Sequence, residues 1–235
     1  PHQDHYGLLE EVPPSVPVCI GEAAARILSE ATFFGVTGMI RTPSGYLRDH
    51  EPFELGPFRV TPFLTDHSAF DAYSLLVEAD GRRLFYTGDF RGHGRKAALF
   101  ERLLREPPGE IDVLLTEGTQ VRSSKDAARS LPTEGEVEEK LVGTFQDLQG
   151  MALVVFSAQN IDRLVTVYRA ALKARRSLVL DLYAATIARA TGRPSIPQPG
   201  HSALRVFVPL SQRIRVKESG EFHRVNEIKK SRIYI

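Results

Sequence analysis

Among its 235 residues the chain has one cysteine, no tryptophan and two methionines. The lone Cys19 excludes an intrachain disulfide and any zinc knuckle built on paired cysteines, and it fits a reducing, cytoplasmic compartment. No apolar run approaches the roughly 18 residues of a bilayer-spanning helix, so no membrane partner is expected. Net charge is nearly absent, with 30 Lys and Arg against 29 Asp and Glu. Hydrophobic residues at 42%, charged residues at 25%, 18 Gly and 15 Pro exclude collagen-like, disordered and coiled-coil chains. What remains is a globular chain long enough for one large domain or two small ones; homo-oligomerisation stays open.

The small net charge conceals a division. Residues 1–118 hold 11 basic against 18 acidic side chains, and residues 119–235 hold 19 against 11. Such segregation either places a cation-binding region beside an anion-binding one or reflects two unevenly solvated surfaces.

Patterning changes near the same point. In the first part, good helix formers predict a helix over 21–31, and 53–64 reads as two strands broken at Gly56-Pro57. YSLLVEA (73–79) and RLFYTGD (83–89) flank Asp80-Gly81-Arg82, a hairpin signature. Residues 97–106 have helical spacing. IDVLLTEG (111–118) is a continuous apolar run and predicts a strand buried on both faces. After a polar stretch (122–133), Thr133 and Glu136 form a capping box for a helix over 134–147. Then MALVVFS (151–157), a helix over 161–176, SLVLDLY (177–183), TIARATG (186–192) and RVFVPL (205–210) alternate strand and helix, as in a parallel α/β sheet. Ile161, Leu164, Val165, Tyr168 and Leu172 mark one buried helical face. The fold class is therefore α/β, antiparallel-rich up to residue 118 and parallel-rich from 119 to 235.

The sharpest chemical signal is Pro1-His2-Gln3-Asp4-His5-Tyr6-Gly7. Three ligand-capable side chains stand within four residues, and imidazole with carboxylate suits Zn²⁺ and similar cations.

HQDHYG resembles the tail of the His-x-His-x-Asp-His signature of the metallo-β-lactamase fold. Thr65-Asp66-His67-Ser68 and Thr87-Gly88-Asp89-Phe90 resemble that family's later ligand motifs, in the right order and each after an apolar run. The resemblance implies two zinc ions, with His2 and His67 on the first, Asp4 and His5 on the second, and Asp89 bridging them. It also implies a hydrolase in which two cations acidify a shared water to a hydroxide nucleophile. LLTEGT (114–119) resembles the first motif of the β-CASP subgroup, and 157–185 resembles the matching domain of ribonuclease J-like proteins. By that likeness residues 1–118 are a partial αββα metallo-β-lactamase sandwich and 119–235 a β-CASP-like insertion. Asp4 and Glu117 would then be catalytic, Glu117 holding a ligand His or a substrate group. RNA or another phosphodiester is the implied partner, with phosphate contacts from Arg163, Arg175, Arg176 and Arg193. The family's first ligand His would precede Pro1 and its last histidines would follow Ile235. The stretch accordingly reads as internal to a longer protein and inactive alone.

Several residues carry two readings. Gly88 either admits a close backbone approach or simply makes a turn. Asp71 either orients a ligand or, as is favoured, caps a turn. Asp66 reads as a solvated loop acid, and His50, His93, His201 and His223 as structural or surface residues. Arg163 either meets phosphate or pairs locally with Asp162 or another nearby acid. A dimetal hydrolase of a small ester or thioester, and a non-catalytic nucleic-acid-binding relative, are the alternatives to a nuclease.

Overall fold

A computed structural model describes residues 2–36, 41–118 and 131–233. A single helical turn, α1 (Gln3–Tyr6), and a short 3₁₀ turn lead to β1 (Cys19–Gly21), α2 (Glu22–Phe33) and β2 (Gly45–Leu47), the two strands pairing in parallel. A five-stranded sheet follows, built from β3 (Phe53–Leu55), β4 (Phe58–Leu64), β5 (Tyr73–Ala79), β6 (Arg82–Tyr86) and, after α3 (Ala97–Arg105), β7 (Val113–Leu115). Its strands lie in chain order. The first three pairings are antiparallel, and β6 pairs with β7 in parallel.

The remaining elements are α4 (Glu134–Asp147), α5 (Ile161–Lys173), β8 (Leu178–Asp181), α6 (Leu182–Ala190), β9 (Leu204–Phe207), α7 (Leu210–Ser219), α8 (His223–Asn226) and β10 (Arg232–Ile233). The last three strands form a parallel sheet ordered β10-β9-β8. Among the described residues the chain is thus mixed α/β with three sheets. Residue 119 and the polar segment 122–130 lie outside the described residues, so the expected division after residue 118 adjoins them.

Local signals explain the element starts. Thr133 accepts from the Glu136 amide and the Glu136 carboxylate accepts from the Thr133 amide, so both halves of the capping box form. Asn160 caps α5 through the Arg163 amide, and Asp181 caps α6 through the Ala184 amide. The main core joins Leu164 on α5, Leu182 and Ala185 on α6, and Leu204 and Val206 on β9. A second cluster packs Ile27 and Ala31 of α2 against Ile161, Ile187 and Ala190, so the two halves share a core.

Two expected strands differ. Val113, Leu114 and Leu115 are 46%, 58% and 47% exposed, not buried on both faces, because β7 is the edge of its sheet. Residues 151–157 run without strand pairing, and Leu153 and Val155 face solvent. An apolar run supplies strand propensity, but a strand also needs a partner ladder. On α5 the buried surface extends beyond the expected stripe to Val167, Ala170 and Ala171, because α4 packs on that side, while Leu172 is left exposed.

Leu204 is fully buried at the centre of the main core. Leu204→Ala should lower unfolding free energy by about 2–5 kcal/mol, read by urea denaturation.

Candidate metal centre

β4 and β6 are each antiparallel to β5 and so point the same way, and β7 follows β6. Their C-terminal ends, bearing His67, Asp89 and Glu117, leave the sheet at one edge. The Thr65 amide donates to the Ala72 carbonyl at 3.0 Å and closes the His67 loop. The buried Ser74 hydroxyl donates to the Thr87 carbonyl at 2.7 Å, and the Thr87 amide to Leu115 O at 2.9 Å. Gly88 then takes φ +56°, a left-handed turn that suits glycine and swings Asp89 out over the sheet edge. Of its two readings, this conformation makes it a turn glycine.

α1 brings the other donors to this edge. His2 Nδ1 lies 3.1 Å from His67 Nε2, and His67 Nε2 lies 4.0 Å from Asp89 Oδ2. His5 Nε2 lies 3.0 Å from Asp89 Oδ2 and 3.8 Å from Asp4 Oδ2. Two donor groups result, His2–His67–Asp89 and Asp4–His5–Asp89, with Asp89 common to both. Tetrahedral zinc with bonds of 2.0–2.1 Å separates its ligands by about 3.3 Å, and the observed spacings bracket that value. The donors therefore fit a divalent ion in each group. A cleft of about 500 Å³ opens beside them, walled in part by Tyr6, Leu9, Ile20, Leu75 and Tyr86.

Burial and the His2 ring hold the His67 imidazole well below its usual range, at about 4, and burial also lowers His2. Both rings are therefore neutral near pH 7, the form that has a lone pair to donate. The Ser68 hydroxyl lies 3.3 Å from His2 Nε2 and orients that ring.

Glu117 belongs to neither donor group. Its carboxylate accepts the Phe90 amide at 2.8 Å, immediately after Asp89, which makes it a positioning group for the Asp89 turn. Asp71 departs from both of its expected roles. Its Oδ2 accepts the Ala23 and Ala24 amides at 2.8 and 3.2 Å, so it caps α2 from 47 residues away in sequence or more. Asp66 is fully buried, not solvated; it accepts the Gly94 amide at 2.8 Å and faces Arg91 at 3.6 Å. A Cβ at Gly94 would stand 2.3 Å from that carboxylate, so the close approach requires glycine.

The arginines divide. Arg163 pairs with Glu134 at 3.0 Å, and the Arg176 guanidinium binds carbonyls of Phe145, Leu148 and Gly150. Arg175 and Arg193 are exposed. His50 pairs with Asp49 and meets Phe63 edge-on, away from the donors. Sequence reasoning passed over Arg91 and Lys96 and read Asp162 only as a partner for Arg163; Asp162 instead pairs with Arg91 and Lys96, which bond the Asp66 and His67 carbonyls. The one available signal was the Arg- and Gly-dense run RGHGRK directly after Asp89-Phe90.

No protein-family profile matches the chain. It is 24% identical over 188 residues to a ribonuclease J from Sinorhizobium meliloti, covering 76% of this chain and 32% of that one. The chain thus spans about a third of the length of that curated relative. Its fold resembles that of an Enterococcus faecalis protein of unknown function, with a TM-score of 0.68, 19% identity, and coverage of 85% of this chain and 47% of the other. A mutant metallo-β-lactamase from Cronobacter sakazakii superposes only loosely, with a TM-score of 0.32 and 13% identity over 74% of this chain and 68% of its own. That last likeness carries no weight.

The His67 shift has a stability consequence. Unfolded chains take up its proton near pH 6.5, whereas the folded state resists until about pH 4. The contribution is thus fully present above pH 6.5 and is lost as pH falls towards 4. Urea denaturation of metal-free protein should show that decline, and His67→Gln should flatten it relative to the unaltered chain.

Proposed function

We propose that this chain carries the metal centre of a dizinc phosphodiesterase that cleaves RNA. The observation that carries the reading is Asp89, one carboxylate within ligand distance of two separate His-containing groups. Similarity to a ribonuclease J supports the nuclease class. His2, His67 and Asp89 would hold one zinc ion, and Asp4, His5 and Asp89 the other. Bound there, the cations supply Lewis acidity toward a phosphoryl oxygen and an acidified water.

The chain's own groups prepare that site. Burial keeps the His67 lone pair available at neutral pH. The Gly88 turn and the Glu117 carboxylate hold Asp89 at the sheet edge. Asp4 is the most exposed of the five donors. Residues 1–118 would form the metal-binding unit of a metallo-β-lactamase fold, and 119–235 a β-CASP-like unit whose excess of basic side chains receives the phosphodiester backbone. Arg175 and Arg193 are the exposed phosphate contacts in this reading, whereas Arg163 and Arg176 already have protein partners.

The intact protein should cleave single-stranded RNA in a zinc-dependent manner, and Asp89→Ala should reduce cleavage to background. Activity that survives this change refutes the assignment. Replacing both Arg175 and Arg193 by Glu should weaken RNA binding and reduce the slope of log affinity against log salt by about 0.7 for each phosphate no longer neutralised. A small-ester hydrolase would instead keep its rate and show little salt dependence.

A further inference from the structure

A second cluster of charged side chains lies behind the metal donors, between the loop that follows Asp89 and the first turns of α4 and α5. It has two limbs. In the inner limb, Asp162 is 5% exposed and receives the Arg91 guanidinium, the Arg95 amide at 3.1 Å and Lys96 Nζ at 3.4 Å. Lys96 Nζ also donates to the backbone carbonyl of His67 at 3.1 Å. Arg91, two residues past Asp89, donates its amide to the Asp66 carbonyl at 2.8 Å, one residue before His67. Ala69, two residues past His67, forms an isolated β-bridge with Asn160, the cap of α5. In the outer limb, Glu138 pairs with the side chain of Arg95, six residues past Asp89, and with Lys173 at 2.7 Å, partners that lie outside residues 65–70 and 88–91.

A buried ion cluster is weak evidence for stability, since packed apolar side chains often serve a core as well. What it supplies is geometry. The buried charge of Asp162 is met by Arg91, Lys96 and the Arg95 amide, and Arg91 and Lys96 are both tied to segments carrying metal donors.

We propose that Asp162 is a positioning residue that, through Lys96 and Arg91, locks the His67 and Asp89 loops to the start of α5 and so sets the spacing of the metal donors. This rests on the metal-centre reading above and adds to it a dependence of that centre on the second half of the chain. Donors held in register bind an ion without first being ordered, so loosening the lock should cost affinity.

The test compares one substitution in each limb of the intact protein. Lys96→Met should raise the Zn²⁺ dissociation constant, read by calorimetry, about 10–100-fold, the usual cost of removing a group that orients ligands. In metal-free protein it should also speed amide hydrogen exchange across residues 65–70 and 88–91 by about tenfold or more, with β8 unchanged. Glu138→Gln should lower the thermal midpoint yet leave affinity and loop exchange within about twofold. Should Lys96→Met fail to fold, Asp162→Asn, which keeps the side-chain shape, takes its place in the same comparison. Unchanged loop exchange in the inner-limb variant, or an equal effect from Glu138→Gln, overturns the proposal. If the unaltered protein takes up no Zn²⁺, the metal-centre reading fails, and the metal-free exchange alone decides whether Asp162 positions the loops.

Discussion

Because β4 and β6 both run antiparallel to β5, and β7 runs parallel to β6, three strand ends leave the five-stranded sheet at one edge. His67, Asp89 and Glu117 each follow one of those ends. β6 and β7 are neighbours about 4.8 Å apart, whereas β5 lies between β4 and β6, so the loops bearing His67 and Asp89 close a gap of about 10 Å. The remaining donors arrive on one helical turn laid against that edge, where His2 meets His67 and His5 meets Asp89. The rest of the site is a matter of holding these short connections still.

Several interactions do that holding, and each acts on backbone. Glu117 grips the amide after Asp89, Lys96 grips the carbonyl of His67, and Asp66 grips the amide of Gly94. Backbone anchors leave the imidazole and carboxylate atoms available for a cation. The buried carboxylates of Asp66 and Asp162 are compensated by Arg91 and Lys96 together with the Gly94 and Arg95 amides. Burial has the opposite effect on His2 and His67, whose rings give up their protons.

Much of the fold was legible where a short stretch of chain decides its own conformation. The Asp80-Gly81 hairpin, the Thr133–Glu136 capping box and the helices over 22–33 and 97–105 all rest on neighbours within a few residues. Errors came where the outcome depended on a distant partner. MALVVFS has the composition of a strand yet pairs with none among the described residues, and the apolar run at 113–115 falls on a sheet edge. Asp66 looked like a solvated acid and Asp71 like a local turn residue, because nothing nearby in sequence announces Gly94, Arg91 or the amides of α2.

Residue type and order by themselves determined the alphabet of the site: three imidazoles and two carboxylates. They also determined the alternating α/β character, since hydrophobic period is a local property of the chain. Only the tertiary structure decided that Glu117 and Asp71 accept backbone amides and that Arg163 and Arg176 are already engaged. The reason is physical: a partner 30 to 80 residues away is selected by strand direction and packing, and neither leaves a mark on the residues flanking the one that is chosen.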